Sequence, residues 1–345
     1  MKKLLKIAII SMLALLPMLA VTALIACSDN ESTIEVVETE ATTTAEDAIT
    51  VGIIQIVEHP ALDAAREGFL AGMAEAGYLD GENVFFDFQN AQGDHNTLST
   101  IADRFVSREV DLILAIATPS AQAIAARTTE IPIVGTAITS YERAELVDSN
   151  EAPGGNVTGT TDMNPVAEQI QLGLDLVEGV QTVGLIYSSQ EANSVYQVEL
   201  AKRAIEAKGL SYEERTVENT NEVQQAMASL VRSSDLIYIP TDNVVASAMA
   251  IAADIANNAG VPTVTGEVNM VKSGGFATMG IDYYDLGMKA AEMAVEILRG
   301  ADPATMPVQT VPGDEITINQ EVLIQLGIDI PERFQVYVQE VEAPE

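Results

Sequence analysis

The sequence predicts an α/β fold of two doubly wound parallel-sheet lobes joined by hinge crossovers. Three observations lead there. Residues 111–126, "DLILAIATPSAQAIAA", and 235–250, "DLIYIPTDNVVASAMA", repeat one pattern of apolar strand, polar corner and Ala-rich helix. The repeat extends upstream, because "ITVGIIQ" from Ile49 and "QTVGLIY" from Gln181 both open Thr-Val-Gly, run through β-formers and break at a polar corner. Between the two units lies a Gly-rich break, "NEAPGGNVTGTTDMNP", where eight uninterrupted units of a TIM barrel would need none.

The first unit continues from its opening strand into a helix with apolar residues at three- and four-residue spacing, ending at Gly77. A strand "NVFFDFQ", a helix through "TLSTIADRFVSREV", the Asp-Leu-Ile strand with its helix, and a strand "IPIVGTAIT" follow. The second unit matches it: a helix ending at Gly209, then "SYEERTV", "NEVQQAMASLVRSS", the second Asp-Leu-Ile strand with its helix, and "VPTVTGE". The strands are short, continuous apolar runs, as in parallel sheets covered on both faces. In the tail, a strand is expected at Phe276–Ile281, a helix from about Tyr284 to Arg299, a strand near Val308–Val311 and a last helix. These elements recross between lobes. The expected N-terminal lobe is residues 49–159 plus about 284–310, and the C-terminal lobe 160–283 plus about 311–340.

The ends of the chain read differently. Lys2, Lys3 and Lys6 precede a long apolar run that closes on "LIAC". Residues 1–27 are therefore expected to be a lipoprotein signal peptide, with Cys27 as the lipidated residue. An uncleaved membrane helix is the alternative. Residues 28–48, acidic and rich in Ser and Thr without Lys or Arg, are expected to form a disordered tether.

A net charge of -34 argues against an electrostatic grip on nucleic acid or anionic lipid. Enzyme signatures are missing: no Gly-x-Ser-x-Gly elbow, no Walker loop and no Gly-x-Gly-x-x-Gly after either opening strand. The one cysteine is assigned to lipid, and the two histidines, His59 and His95, are not at metal-ligand spacing. No catalytic residue, cofactor or metal is expected.

In open parallel sheets, ligands sit beyond the carboxyl ends of strands, where helix N-termini offer free N–H groups. The corresponding corners here supply Gln55, His59, Thr118, Ser120, Thr136, Thr139, Tyr187, Ser189, Asn193, Ser194, Thr241, Asp242, Asn243, Glu267, Asp282 and Tyr283. Hydroxyls at Thr118, Ser120, Thr136, Thr139, Ser189 and Ser194 suit an anion, whereas Asp242, Glu267 and Asp282 suit an ammonium. Together they point to a zwitterion such as an amino acid. Each Ser, Thr, Asp or Asn at such a corner can equally be a helix cap.

The segments "ATPSAQAIAARTTEIPIVGTAITSYERAELVDSNEAPGGNVTG", "YIPTDNVVAS", "GEVNMVKSGG" and "GIDYYDLG" resemble the ABC-transporter substrate-binding lipoproteins of type I periplasmic-binding-protein fold. Within that family, "QIVEHPALDAAREGF" is similar to members assigned to tryptophan or other aromatic amino acids. The resemblance implies that the "TPS" and "GTAIT" corners hold the ligand carboxylate. It also implies that Asp242, Glu267 or Asp282 holds the amino group, with "EHP" and Tyr187 or Tyr283 at the side-chain end. The expected protein is an extracytoplasmic receptor, anchored at the cell membrane by lipid. It captures an amino acid and delivers it to an ABC permease with a separate ATPase subunit. A sensory solute receptor and an extracytoplasmic enzyme are the alternatives.

Overall fold

The computed structural model describes residues 48–313 and 315–341. The expected signal segment, Cys27 and the tether up to residue 47 lie outside them. Two parallel-dominated sheets form the framework, each covered by helices on both faces.

The first sheet holds β1 (Ile49–Gln55), β2 (Val84–Asn90), β3 (Leu112–Ile116), β4 (Ile133–Ile138) and β5 (Val157–Thr161), in the order β2-β1-β3-β4-β5. Helices α1 (Pro60–Glu75), α2 (His95–Ser107) and α3 (Thr118–Ala125) connect its strands. Strands β3 and β4 are buried along their whole length. This explains their unbroken apolar runs in place of a polar alternation.

The second sheet repeats that winding. Helix α4 (Val166–Leu176) leads to β6 (Thr182–Ser188), α5 (Ala192–Ala207), β7 (Ser211–Val217), α6 (Thr220–Leu230) and β8 (Leu236–Ile239). Then come α7 (Asn243–Ser247), α8 (Met249–Asn258), β9 (Thr263–Thr265), α9 (Val268–Lys272) and β10 (Ala277–Gly280). The chain continues through α10 (Tyr283–Leu298), β11 (Glu315–Asn319), α11 (Gln320–Leu326) and β12 (Val338–Gln339). Its order is β12-β11-β10-β9-β8-β6-β7, so β7-β6-β8-β9-β10 reproduces the order of the first sheet. Antiparallel β11 is added beyond it. The switch points, between β1 and β3 and between β6 and β8, are where such sheets leave a crevice at their carboxyl edge.

The chain passes between the sheets three times. It leaves the first after β5, two residues beyond the expected boundary at 159, and α10 then returns to pack on α1 and the first core. Met306 and Val308 also pack on that core before β11 rejoins the second sheet. Several elements differ from expectation: β5 forms inside the Gly-rich break, and α4 and β11 are additional. Residues 308–311 form no strand, only a single bridge between Gln309 and Thr160. Pro307 and Pro312 flank them and cannot donate to a ladder. The Ala-rich run after β8 is two helices, broken at Ala248.

Helices α1 and α10 meet almost backbone to backbone. A Cβ on Gly68 would lie 2.0 Å from the Tyr284 carbonyl oxygen, and one on Gly287 would lie 2.0 Å from the Ala65 carbonyl oxygen. Glycine is required at both positions for this approach. The contact fixes α10, and so Tyr283 at its first turn, against the helix that begins just after His59.

Candidate functional site

The carboxyl edges of the two sheets face each other across a narrow cavity. The first lobe supplies His59, Ala61 and Leu62 at the start of α1, and Ala137 at the end of β4. Asp162 comes from the crossover after β5, and Tyr283 from the first turn of α10. The second lobe supplies Asn193 of α5, the Thr241–Asp242–Asn243 corner, Ala246 of α7, Glu267 and Met270.

Seven of the residues expected from sequence thus meet in one cavity: His59, Asn193, Thr241, Asp242, Asn243, Glu267 and Tyr283. Asp242 and Glu267 are also helix caps, so both readings of an acidic corner hold at once. Asp242 accepts from the N–H groups of Val245 and Ser188, and Glu267 from those of Asn269 and Met270. Ser194 is buried beside this corner and hydrogen-bonds Asp242.

Other expected residues lie next to the cavity. Thr139 is buried, donates to Asp162 at 2.9 Å and lies 3.4 Å from the Thr241 hydroxyl. Thr136 accepts from Thr160, and Gln55 is held by Val57, Asp63 and Arg66. Thr118 and Ser120 are buried at the N-terminus of α3, and their hydroxyls have no partner among the described residues. The adjoining corners carry Ala117 at φ 76° and Ala137 at φ 56°, a left-handed backbone that non-glycine residues rarely adopt. Such strain concentrates where a fold positions backbone groups for a task.

Three expected residues are elsewhere. Tyr187 points from β6 toward β7 and donates to Glu214 at 3.1 Å, because strand alternation turns it from the carboxyl edge. Ser189 is exposed, and its neighbour Ser188 carries the buried N–H that meets Asp242. Asp282 is exposed and caps α10 through Tyr284 and Asp285.

Two buried carboxyl groups went unread in the sequence. Asp162 lines the cavity and accepts from Thr139 and from the Tyr283 hydroxyl. Glu191 lies behind Asn243 and accepts from its side chain at 2.5 Å. Both occupy positions at the end of a strand or the start of a helix, which was the available signal. Gln197 was also missed; its amide donates to Thr139 and Thr241, bridging the lobes.

The electrostatics are one-sided. Asp162, Asp242 and Glu267 line the cavity, and no Lys or Arg does so among the described residues. Burial raises all three carboxyl pKa values, that of Glu267 to about 7, against the opposing hydrogen bonds. Glu191 is pushed up to about 8 by burial and then by the nearby Asp242. Burial lowers His59 to about 4, against its bond to Asn243 and the charge of Asp63. A buried acidic cavity lined by no Lys or Arg among the described residues is complementary to a cationic group. Among the described residues, no cluster of His, Cys, Asp or Glu is placed to hold a metal ion.

The lobes also touch directly. His59 Nε2 meets Asn243 Oδ1 at 3.2 Å, and the Arg143 guanidinium lies 5.0 Å from the centre of the Tyr196 ring. This is a closed arrangement.

Comparison with known proteins agrees. A family model described as ABC transporter substrate binding protein matches residues 50–342. A tyrosine-binding protein of Clostridioides difficile is 41% identical over 310 residues, 90% of each chain. The solved structure of an ABC domain in complex with L-Trp from Streptococcus pneumonia is 37% identical. It superposes with a TM-score of 0.82, covering 85% of this chain and 100% of that one. The ligand-free, open structure of a substrate binding protein with adhesive properties from Clostridium difficile is 41% identical, covering 86% of this chain and 100% of that one. Its TM-score is lower, 0.65. The chain is closer in shape to the complex than to the open form, although the open form is the more similar sequence.

Proposed function

Since this chain belongs to the ABC transporter substrate binding protein family, we propose that it captures an aromatic amino acid between its lobes and delivers it to a membrane permease driven by a separate ATPase. The observation that carries this reading is the cavity itself. Three buried acids, with no Lys or Arg beside them among the described residues, favour an ammonium, and Ala61, Leu62, Ala137 and Met270 offer an apolar wall for a ring.

The ligand carboxylate is assigned to the N-terminus of α3, beside Ala137. Free helix N–H groups and the hydroxyls of Thr118 and Ser120 are available there. The ammonium is assigned to Asp162, Glu267 and Asn193, whose buried Oδ1 has no partner among the described residues. Asp242 adds a further negative charge beside them, each of its oxygens, like those of Glu267, taking one backbone N–H and keeping a lone pair. The relatives that bind tyrosine and L-Trp support an aromatic side chain. Ligand bridging the two lobes stabilises the closed form through contacts the open form lacks.

A thermal-shift screen of the purified protein against amino acids, nucleosides and sugars tests the reading. Stabilisation by tyrosine or tryptophan that grows with concentration is expected. A response confined to sugars or nucleosides would reject it. Placement at the outer face of the cell membrane rests on Cys27. Cys27→Ala is expected to release the protein from membranes, and continued retention would reject lipid anchoring.

A further inference from the structure

We propose that His59 selects the ligand side chain: the Asn243–Glu191 pair holds its Nδ1 as a bare hydrogen-bond acceptor, so the site favours a ring bearing a phenol O–H or indole N–H over the plain ring of phenylalanine. This rests on the amino-acid reading above.

Glu191 sets the orientation of the Asn243 amide. Its Oε2 accepts from Asn243 Nδ2 at 2.5 Å, Asn193 Nδ2 at 3.2 Å and the Asn243 backbone N–H at 3.3 Å. An oxygen taking three N–H donors is the unprotonated one whether the group is acid or carboxylate, since a proton goes to the other oxygen. Asn243 is therefore oriented with its NH₂ toward Glu191 and its Oδ1 toward His59, 3.2 Å from Nε2. An amide oxygen only accepts, so His59 Nε2 carries the proton. In a neutral imidazole the other nitrogen then has a free lone pair.

The structure keeps that lone pair available. Burial holds His59 neutral well below the usual imidazole range. Although His59 occupies the N-cap position of α1, its side chain makes no cap bond, and Nδ1 has no partner among the described residues. His59 lines the cavity beside Ala61 and Leu62, where a ring would pack. A site built to hydrogen-bond a substrate group discriminates strongly against the analogue without it, because a buried polar atom is left unpaired.

Binding calorimetry with L-tyrosine, L-tryptophan and L-phenylalanine tests this on the wild type, His59→Phe, Asn243→Ala and Glu191→Gln. The wild type is expected to bind tyrosine and tryptophan at least about 10-fold more tightly than phenylalanine. His59→Phe should erase the preference by weakening the first two, while Asn243→Ala should reduce it. Glu191→Gln should retain it, because an amide oxygen can accept the same N–H groups. Imidazole ¹⁵N shifts, which a merely structural role would not move, should show the Nε2–H tautomer in the wild type and a mixture in Asn243→Ala. Equal wild-type affinity for phenylalanine and tyrosine, or an Nδ1–H tautomer, would overturn the selector and leave the amino-acid reading standing. Failure of all three ligands would overturn both.

Discussion

Each acid at the cavity is a residue whose proton depends on what sits beside it. Glu267 loses its proton near 4.5 when unfolded but near 7 in the folded chain. The folded state therefore binds the extra proton between those values, and this group's contribution to stability falls as pH rises through that window. Glu191 acts in the same direction between 4.5 and about 8. His59 acts oppositely: unfolded it takes a proton near 6.5, folded only near 4, so stability falls as pH drops through that window. A bound ammonium favours the carboxylate form, so binding should expel a proton. Calorimetry in buffers of different ionisation enthalpy should detect that release, with affinity rising between about pH 6 and pH 8. Proton uptake on binding would contradict the assignment. The corner acids Asp242 and Glu267 were legible because they end apolar strands before helices. Asp162 and Glu191 were not, since their burial depends on a crossover and on the approach of residues far along the chain. Tyr187 and Asp282 occupy the same kind of corner, yet Tyr187 turns toward Glu214 of β7 and Asp282 faces solvent.

The helix pair α1 and α10 meets almost backbone to backbone beside the cavity. Gly68→Ala should push a methyl into the Tyr284 carbonyl and destabilise the fold by about 1–3 kcal/mol in urea unfolding. Gly155→Ala, whose added Cβ meets nothing within 4 Å, should be close to neutral. Equal effects would mean that the helices can separate at little cost. Sequence showed both helices through their periodicity and expected the returning helix in the N-terminal lobe, but not its partnership with α1, because a strand–helix pattern does not say which helix it packs on. The tail strand shows the same limit. Val308–Val311 has strand-like residues, but two prolines confine it to one bridge, and the ladder forms at Glu315–Asn319 instead.

For the whole molecule, the internal repeat made two similarly wound sheets legible before any coordinates. It could not show whether they are open or closed, because closure is set by contacts such as His59 with Asn243 and Arg143 with Tyr196. Arg143 touches no proposed ligand group, so its role is confined to holding the lobes together. An exposed cation–π contact contributes about 0.5–1 kcal/mol, so Arg143→Ala should weaken ligand affinity about two- to five-fold. An unchanged dissociation constant by calorimetry would remove that contact from closure. The most direct test of the amino-acid cleft is binding calorimetry comparing L-tyrosine with its deaminated analogue, 3-(4-hydroxyphenyl)propionate. The acidic cavity predicts that losing the ammonium weakens binding by about 10- to 100-fold. Equal or tighter binding of the deaminated acid would contradict it.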